Sequence, residues 1–444
     1  MTINYKNIGL FFLVACLILG TGFVQSWNTA LFILNMGLVS AIMALGVNLQ
    51  WGFAGLFNVG IMGFVALGGL AAVLISMPPT TEAWAAGGLQ VLLGLILGAA
   101  TVTGAILVQT RTAAGRTRNL TTIAVLIGGF FIFRAVFDGG VAAVEAIDAA
   151  GTGYLGGLNF GGANYKDWGF MTLISWPVGG LLAAGVAWLI GKTALGLRSD
   201  YLAIATLGIS EIIIAVMKNE DWLSRGVKNV IGLPRPVPYE IELQESTSFI
   251  ERTSSLGLDP VSSSSIVVKL GYAGLFSIVL VIVLILAQLA LASPWGRMMR
   301  AIRDNEDAAE AMGKNVTARH LQIFILGSAI CGVAGAMMTT LDSQLTPASY
   351  QPLRFTFLVW VMVIVGGSGN NFGSVLGGFL IFFLWVQVEP MGAILMQILT
   401  SGMAEDNGLR LHLLESVAHM RLLTMGLILI LVLRFAPKGL IPEK

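Results

Sequence analysis

Runs of apolar residues separated by short polar stretches recur along almost the whole sequence. A bilayer-spanning helix needs about 20 mostly apolar residues, and somewhat fewer will serve. The runs that meet or approach this length are residues 8–24, 31–50, 56–76, 89–110, 120–137, 170–190, 202–217, 266–292, 321–341, 355–365, 374–396 and 422–435. The shortest, 355–365, is typical of a half-helix. The pattern therefore predicts an all-α polytopic membrane protein with about 10–12 transmembrane or half-spanning helices.

The composition supports a membrane environment and excludes other classes of protein. Hydrophobic residues make up 56% of the chain, charged residues make up 11%, and the mean hydropathy is +0.83. Soluble domains carry about 25% charged residues, so this chain lacks the polar surface that would cover a soluble fold. A net charge of +1 gives no electrostatic basis for binding nucleic acid. The expected surroundings are therefore membrane lipid.

Basic residues between the apolar runs predict the orientation, because Lys and Arg concentrate in short cytoplasmic loops. If the predicted helices alternate in direction, the basic loops and the basic tail all fall on one side of the membrane. These segments contain Arg111, Arg116, Arg118, Lys192, Arg198, Arg297, Arg300, Arg303, Lys314, Arg319, Arg434 and Lys438. We therefore expect both termini to be cytoplasmic. No small-x-small cleavage site follows the first run, which favours a retained helix over a signal peptide.

The longest polar segment, residues 218–265, would lie on the opposite, extracytoplasmic side. It is mixed in charge and ends in a run of serines at 262–265. Loops of this length are usually functional or disordered. Both a partner-facing excursion and a poorly ordered insertion fit the sequence.

A polar interruption lies between the second and third predicted helices. Residues 48–60 include Asn48, Gly52, Gly55 and Asn58 within an otherwise apolar stretch. Irregular backbone at membrane depth persists only where protein or water satisfies its polar groups. A broken helix here would expose amide donors suited to a carboxylate. An ordinary tight loop with small residues for helix packing fits the same pattern.

Glu211 lies in the middle of the apolar run 202–217. An ionisable group at that depth is a functional hypothesis by default. Gly208 and Ala215 share its helical face, so we expect Glu211 to point into a packed helix interface rather than at lipid. It would serve there as a polar group near a pathway or as a structural hydrogen bond between two helices.

A glycine-dense stretch at 365–378 contains Gly366 and Gly367 and predicts a sharp turn or a close helix crossing. The triplet at 191–193 resembles the end of a nucleotide-binding motif, but the preceding glycine has the wrong spacing and no strand comes before it. The sequence shows no other catalytic or metal-binding pattern. We therefore expect a protein that is not an enzyme and that binds no cofactor or metal itself.

The predicted cytoplasmic loop, residues 294–320, begins with an arginine stripe at 297, 300 and 303 that suits lipid phosphates. Asp304 is placed as the N-cap of a short helix, and Gly313 is placed to end it. That helix would present an acidic face and a small apolar face, formed by Glu306 with Glu310 and by Ala308 with Met312. It could dock in a groove on a partner or serve as a solvated connector.

These stretches together resemble the LivM-type permeases of branched-chain amino acid ABC importers. The matching pieces, in order, are residues 46–56, 196–208 with 211–213, 296–303, 308–313, 332–336, 366–369 with 373–378, and 434–440. Each piece alone is a weak signal, whereas the whole set in one order is specific.

The resemblance implies a single permease domain over residues 1–444 in the bacterial inner (plasma) membrane. It also implies a second, LivH-type permease, two cytoplasmic ATPases that carry ATP and Mg, and a periplasmic substrate-binding protein. Residues 304–313 would be the coupling helix that docks on an ATPase. The coupling residues implied are Arg303, Glu306, Ala308, Ala309, Glu310 and Gly313. Asp307 precedes Ala308 where the family usually has the glutamate, which leaves the role of Glu306 open.

The candidates for the substrate pathway are Asn48, Gly52, Gly55, Asn58, Thr206, Glu211, Gly366 and Gly367. The expected cargo is a branched-chain or other neutral amino acid, with urea or a short amide as the alternative. An ion-coupled secondary transporter, with Glu211 as its ion ligand, is the alternative from another class. The sequence leaves open whether the cargo crosses within this subunit or between two subunits.

Overall fold

The computed structural model describes residues 5–147, 153–159, 169–404 and 407–443, apart from the side chain of residue 199. The principal helices are α1 Tyr5–Val24, α2 Trp27–Ala54, α3 Ile61–Ser76, α4 Thr81–Arg111, α5 Arg116–Glu145, α6 Phe170–Ala194, α7 Ser199–Asn219, α8 Pro260–Ala292, α9 Pro294–Asp304, α10 Glu306–Ala311, α11 Val316–Asp342, α12 Pro352–Gly366, α13 Asn371–Leu399 and α14 Met420–Phe435. Shorter helices lie at Asp221–Ser224, Glu240–Glu245, Thr247–Ser255 and Gly408–Glu415. Two short antiparallel strands are β1 Val230–Ile231 and β2 Gln344–Leu345.

Ten helices within the described residues are long and apolar enough to cross a membrane. Two shorter apolar helices, α3 and α12, contain 16 and 15 residues. At 1.5 Å per residue each is roughly 23 Å long, which is less than the hydrocarbon core of about 30 Å. The predicted all-α polytopic fold is confirmed, and the run 355–365 forms a short helix.

The helical structure is interrupted between α2 and α3, where the sequence predicted a helix from residue 56 onward. This interruption is called the break below. α2 ends at Ala54, and its C-cap is Gly55, whose φ of 70° lies in the left-handed region that favours glycine. Residues 55–60 are not helical, and α3 begins only at Ile61. The third apolar run therefore contains an irregular segment followed by a short helix.

The central helix of the bundle is α2, which contacts α8, α11, α12 and α13. In the apolar 18-residue stretch of α2, 83% of the residues are buried inside the protein. In the corresponding stretch of α5, none is buried. α5 packs mainly on α4. A helix that is apolar all round belongs in a core or in lipid. Here α2 lies in the core of the protein. The α4–α5 pair presents its apolar side chains to the surrounding lipid.

Glycines bring the backbones of α3, α6 and α11 close together. A Cβ atom on Gly332 of α11 would lie 2.5 Å from the carbonyl oxygen of Gly179 in α6. A Cβ atom on Gly179 would lie 3.1 Å from the Cα of Gly68 in α3. Such close approach provides the van der Waals contact that associates helices in lipid. By contrast, Gly185 on the same α6 has open space around it.

We expect Gly179→Val to destabilise the fold and Gly185→Val to leave it intact. A valine at 179 would push α6 away from α3 and α11, and overpacking of this kind costs about 1–3 kcal/mol. Both variants carry the same change in helix propensity on the same helix, so they form a matched pair. The measurement is the thermal midpoint of the purified chain in detergent. Equal midpoints for the two variants would contradict this account of the packing.

The long polar segment 218–265 is folded and attached to the end of α11. Its strand β1 pairs with β2, which follows α11. Arg235 donates through Nε to the Ser343 hydroxyl at 2.7 Å and forms an ion pair with Glu240 at 2.8 Å. The segment therefore lies at the end of the bundle that carries Asp342. Its extracytoplasmic position stays a prediction from the loop charges.

Candidate functional site

A cavity of about 380 Å³ lies between α2, α3, α11, α12 and α13. This volume falls in the range of about 300–1,000 Å³ that is usual for small-molecule sites. Most of the wall is formed by methionine and aromatic side chains, among them Met36, Met43, Met62, Met338, Met362, Phe32, Phe355, Phe382 and Trp385. Its charged side chains are Asp342, at the end of α11, and Arg421, at the start of α14.

Asp342 faces the cavity without a partner from the protein. Its side chain is accessible to solvent, and within the described residues no hydrogen bond or ion pair reaches its carboxylate. Tyr350 is a second polar group in the wall, and its hydroxyl shares a hydrogen bond of 2.9 Å with the Thr339 hydroxyl. Burial raises the pKa of Tyr350, so its hydroxyl stays neutral.

Arg421 is oriented by two neighbours in the wall of the cavity. Its Nη2 atom pairs with the carboxylate of Glu389, and its guanidinium lies 5.8 Å from the ring centroid of Trp385. Its Nε atom is buried and has no hydrogen-bond partner in the described part of the chain. Arg354 lies 5.2 Å from the same ring but lines a different cleft. Arg421 therefore keeps an unused donor.

Three aromatic rings lie beyond the cavity, beside the break between α2 and α3. The ring centroids of Trp51 and Trp360 are 5.0 Å apart, and those of Phe57 and Trp360 are 4.8 Å apart. Met43, in the cavity wall, precedes Trp51 on α2 by roughly 12 Å of helix. The Trp360 indole donates to the Asn58 carbonyl at 3.1 Å. These rings pack against one another beside the break.

Gln50 holds the break in place. Its Nε2 atom donates to the Phe324 carbonyl at 2.9 Å and to the Ser328 hydroxyl at 3.1 Å. Its Oε1 atom accepts from the Asn58 side chain at 2.9 Å. All of these groups are buried. Asn58 is therefore a structural link between the irregular segment and α11.

Two of the amides of the break are already occupied by side chains. The Asn58 side-chain oxygen accepts from the Gly60 amide at 2.9 Å, and the Thr206 hydroxyl accepts from the Val59 amide at 3.1 Å. These two donors are not free for a substrate carboxylate. At these two amides the irregular segment is a tight, packed loop.

The stretch 365–378 forms the predicted sharp turn, between α12 and α13. Gly367 has a φ of 125° and Gly369 a φ of 78°, a backbone region that favours glycine. The turn packs on α2, because the Asn48 side chain accepts from the Gly369 amide at 2.9 Å and donates to Asn371 at 3.0 Å. Asn48 therefore fixes the turn rather than lining the cavity.

The C-terminal tail is hydrogen-bonded to the same turn. The amides of Leu440 and Ile441 donate to the carbonyls of Val365 and Gly366, each at 2.9 Å. The structure thus brings the end of the chain to residues that the sequence proposed for a pathway. Gly366 and Gly367 serve here in backbone packing.

Arg303 joins the tail to the loop before α10 and to the end of α2. Its Nη1 atom donates to the Gly52 carbonyl and, at 2.9 Å, to the Glu443 carboxylate. Its Nη2 atom donates to Asp304 at 3.1 Å. Arg303, Gly52 and Glu443 are termed the clasp below. The sequence did not predict the part played by Glu443, because an ion pair between residues 140 positions apart leaves no local pattern.

We expect Arg303→Gln to loosen the C-terminal tail and Arg300→Gln to leave it bound, because the hydrogen bond that Arg300 makes within the described residues goes to the Leu291 carbonyl. The clasp is partly exposed, so its loss should cost about 1 kcal/mol. Hydrogen exchange of the Leu440 and Ile441 amides should then be roughly fivefold faster. Unchanged protection in Arg303→Gln would show that the clasp does not hold the tail.

The helix α10 begins one residue later than the sequence predicted. Asn305, not Asp304, is its N-cap, and the Asn305 side chain accepts from the Ala308 amide at 2.9 Å. Asp304 is still helical at the end of α9, since the Asn305 amide continues the α9 hydrogen bonds to Ala301. Gly313, with a φ of 76°, ends the segment as predicted.

The coupling candidates divide into an exposed and an inward set. Glu306, Ala308 and Glu310 are exposed, and Met312 is 80% exposed. Ala309 is half-buried and packs against the main core. Arg303 belongs to the clasp and not to a lipid-facing stripe with Arg297 and Arg300, which corrects that part of the prediction.

Glu211 lies on the exposed side of α7, contrary to expectation. α7 packs on α3 through the face that buries Thr206, whereas Glu211 is exposed and Gly208 has open space around it. The predicted packed interface at Glu211 is therefore wrong within this chain, because the helix buries its opposite face. Glu211 instead lines an open cleft with Lys218 and Arg354.

The apolar helices and the cavity between them are those of a polytopic membrane protein. A family model described as the permease component of branched-chain amino acid transport systems matches residues 146–433, more than half of the chain. The chain belongs to this family. Family membership and the apolar helices together make it a multi-pass protein of the inner membrane.

Individual relatives are similar over part of their length. The high-affinity branched-chain amino acid transport permease LivM of Salmonella typhimurium is 29% identical over 223 residues, covering 49% of this chain and 51% of the relative. A probable LivM of Methanocaldococcus jannaschii is 25% identical over 248 residues, covering 56% and 61%. The fructose import permease FrcC of Rhizobium meliloti is 26% identical over 102 residues, covering 22% and 28%.

The chain thus spans about half the length of the Salmonella relative that it matches. No solved structure matches the chain at a significant level.

Proposed function

We propose that this chain is a transmembrane permease subunit of an ATP-driven ABC importer for branched-chain or other neutral amino acids. The observation that carries the proposal is the family match over residues 146–433, which includes α10 to α13. Relatives named LivM, which act in branched-chain amino acid transport, support the same class of cargo.

The clasp supports a mechanical link between α10 and the cavity. Arg303 precedes α10 and bonds to Gly52, near the end of α2. The chain continues from there into the break that carries Phe57, whose ring packs on Trp360. A displacement of α10 would therefore be passed to these rings. In this proposal the movement of the rings opens a path to the cavity, and the cargo crosses within this subunit.

Partner proteins supply the remaining functions in this proposal. Two cytoplasmic ATPases bind ATP and Mg, and the exposed face of α10 docks on one of them. A second, LivH-type permease lies beside this chain in the inner membrane. A periplasmic substrate-binding protein delivers the cargo to the folded segment 218–265. This chain itself binds no cofactor and catalyses no reaction.

The two alternative functions fit the geometry less well. An ion-coupled transporter would use Glu211 as its ion ligand, but Lys218 and Arg354 line the same cleft and would compete with a bound cation. Urea or a short amide would leave most of the methionine-lined wall of the cavity without contact. An amino acid with an apolar side chain would fill it better.

The assembly can be tested by mass spectrometry of the proteins that co-purify with this chain from native membranes in mild detergent. We expect a second, related permease and ATPases that contain nucleotide-binding motifs. Leucine uptake by the reconstituted assembly should require ATP. Purification of the chain alone at full yield, with uptake that persists after ATP depletion in an ion gradient, would favour the secondary transporter instead.

We expect Ala308→Arg to reduce co-purification of the ATPases at least severalfold, because a long charged side chain would block close approach of a partner helix to α10. Ala308 is exposed, so the variant should fold normally. Ala301→Arg is the matched control, since Ala301 is exposed on α9, outside the proposed docking face. Wild-type ATPase yield in Ala308→Arg would refute the docking assignment.

A further inference from the structure

The cavity combines one acidic and one basic side chain with a largely apolar wall. We propose that Asp342 binds the ammonium group and Arg421 the carboxylate of an amino acid zwitterion, whose apolar side chain lies among the methionines. This inference rests on the proposed function and deepens it, because it names the residues of this chain that recognise the cargo.

The state of Asp342 indicates a cationic ligand group. Its carboxylate reaches the cavity surface and has no partner within the described residues. A solvent-accessible carboxylate that no protein donor engages is available to a ligand that carries hydrogen-bond donors and a positive charge. An ammonium group supplies a charge and three donors together. Asp342 is therefore suited to a ligand amine.

The state of Arg421 indicates an anionic ligand group. A guanidinium carries five N–H donors, and Glu389 is paired with Nη2. The Nε donor is buried and out of reach of a ligand, so the available donors are those of Nη1, which has no partner among the described residues. The ring of Trp385 lies beside the guanidinium and limits its orientation. Arg421 can therefore receive a second carboxylate without giving up Glu389.

The balance of charge selects a zwitterion over other small ligands. Asp342 and Arg421 together contribute no net charge to the wall. A metal cation or a simple anion would match one of them and leave the other without a new partner. A neutral sugar would match neither by charge. An amino acid at neutral pH carries one group for each.

The methionines suit side chains of several shapes. Met36, Met43, Met62, Met338 and Met362 all contribute to the wall. Methionine is flexible and polarizable, and it adapts to differently branched apolar partners. An additional charge on the ligand side chain would be buried without compensation. We therefore expect leucine, isoleucine, valine and phenylalanine to bind, and lysine and aspartate to be excluded.

The test measures the binding of tritiated L-leucine to the full-length chain in nanodiscs, with two competing ligands. L-Leucinol keeps the ammonium group and lacks the carboxylate, and 4-methylpentanoate keeps the carboxylate and lacks the ammonium group. Each charged hydrogen-bonding contact should contribute a factor of about 10–100 in affinity. Leucine should therefore bind about 10–100 times more tightly than either analogue. Equal affinities for the three ligands would overturn the proposal.

Two variants assign the groups to the residues. Asp342→Asn should weaken leucine and leucinol by about tenfold or more and leave 4-methylpentanoate unchanged. Arg421→Gln should weaken leucine and 4-methylpentanoate and leave leucinol unchanged. Arg354→Gln is the matched control, because Arg354 stacks on the same Trp385 without lining the cavity. Equal weakening of all three ligands by each variant would indicate structural damage and would refute the assignment.

Uptake by the assembled importer separates this proposal from the proposed function. If both Asp342→Asn and Arg421→Gln keep the leucine KM of the wild type, the binding site lies elsewhere. The proposed function, amino acid import, would then be unaffected by that result. If the wild-type assembly imports no amino acid, the proposed function itself fails. The expected result is a raised leucine KM in both variants and an unchanged KM in Arg354→Gln.

Discussion

Backbone polar groups inside a membrane must find partners within the protein, and the break between α2 and α3 is where this demand is greatest. Gln50, Asn58 and Thr206 satisfy it with buried side-chain hydrogen bonds to α11 and to the irregular segment itself. Because the segment is held in this way, Phe57 packs against Trp51 and Trp360. The position of these rings depends on the network around Gln50.

The clasp extends the same arrangement to the other side of the break. Gly52 lies two residues before the end of α2, and its carbonyl accepts from Arg303, which also holds the C-terminal tail through Glu443. Three parts of the chain that are far apart in sequence therefore meet at one guanidinium. Charge-assisted bonds of this kind are directional.

Much of the candidate site follows from local chemistry, and part of it does not. The polar interruption at 48–60 and the glycine-dense turn near Gly367 were recognisable, because polar and glycine residues are unusual in membrane helices. The roles of these residues were not recognisable, because Asn48 and Asn58 proved to hold neighbouring segments in place through side-chain hydrogen bonds. The cavity-facing residues Asp342 and Arg421 were missed, because each lies at a helix end where a charged residue is ordinary.

The sequence by itself determined the class of fold, the approximate helices and the family, because apolar run length and ordered motifs are properties of the linear chain. Only the tertiary structure decided which face of each helix is buried. Gly208 and Ala215 predicted an inward Glu211, yet α7 packs through the side of Thr206. In a helix that is apolar on every side, composition does not distinguish a protein-facing from a lipid-facing surface. That choice depends on contacts between distant segments, such as those that place Asp342 and Arg421 in one cavity wall.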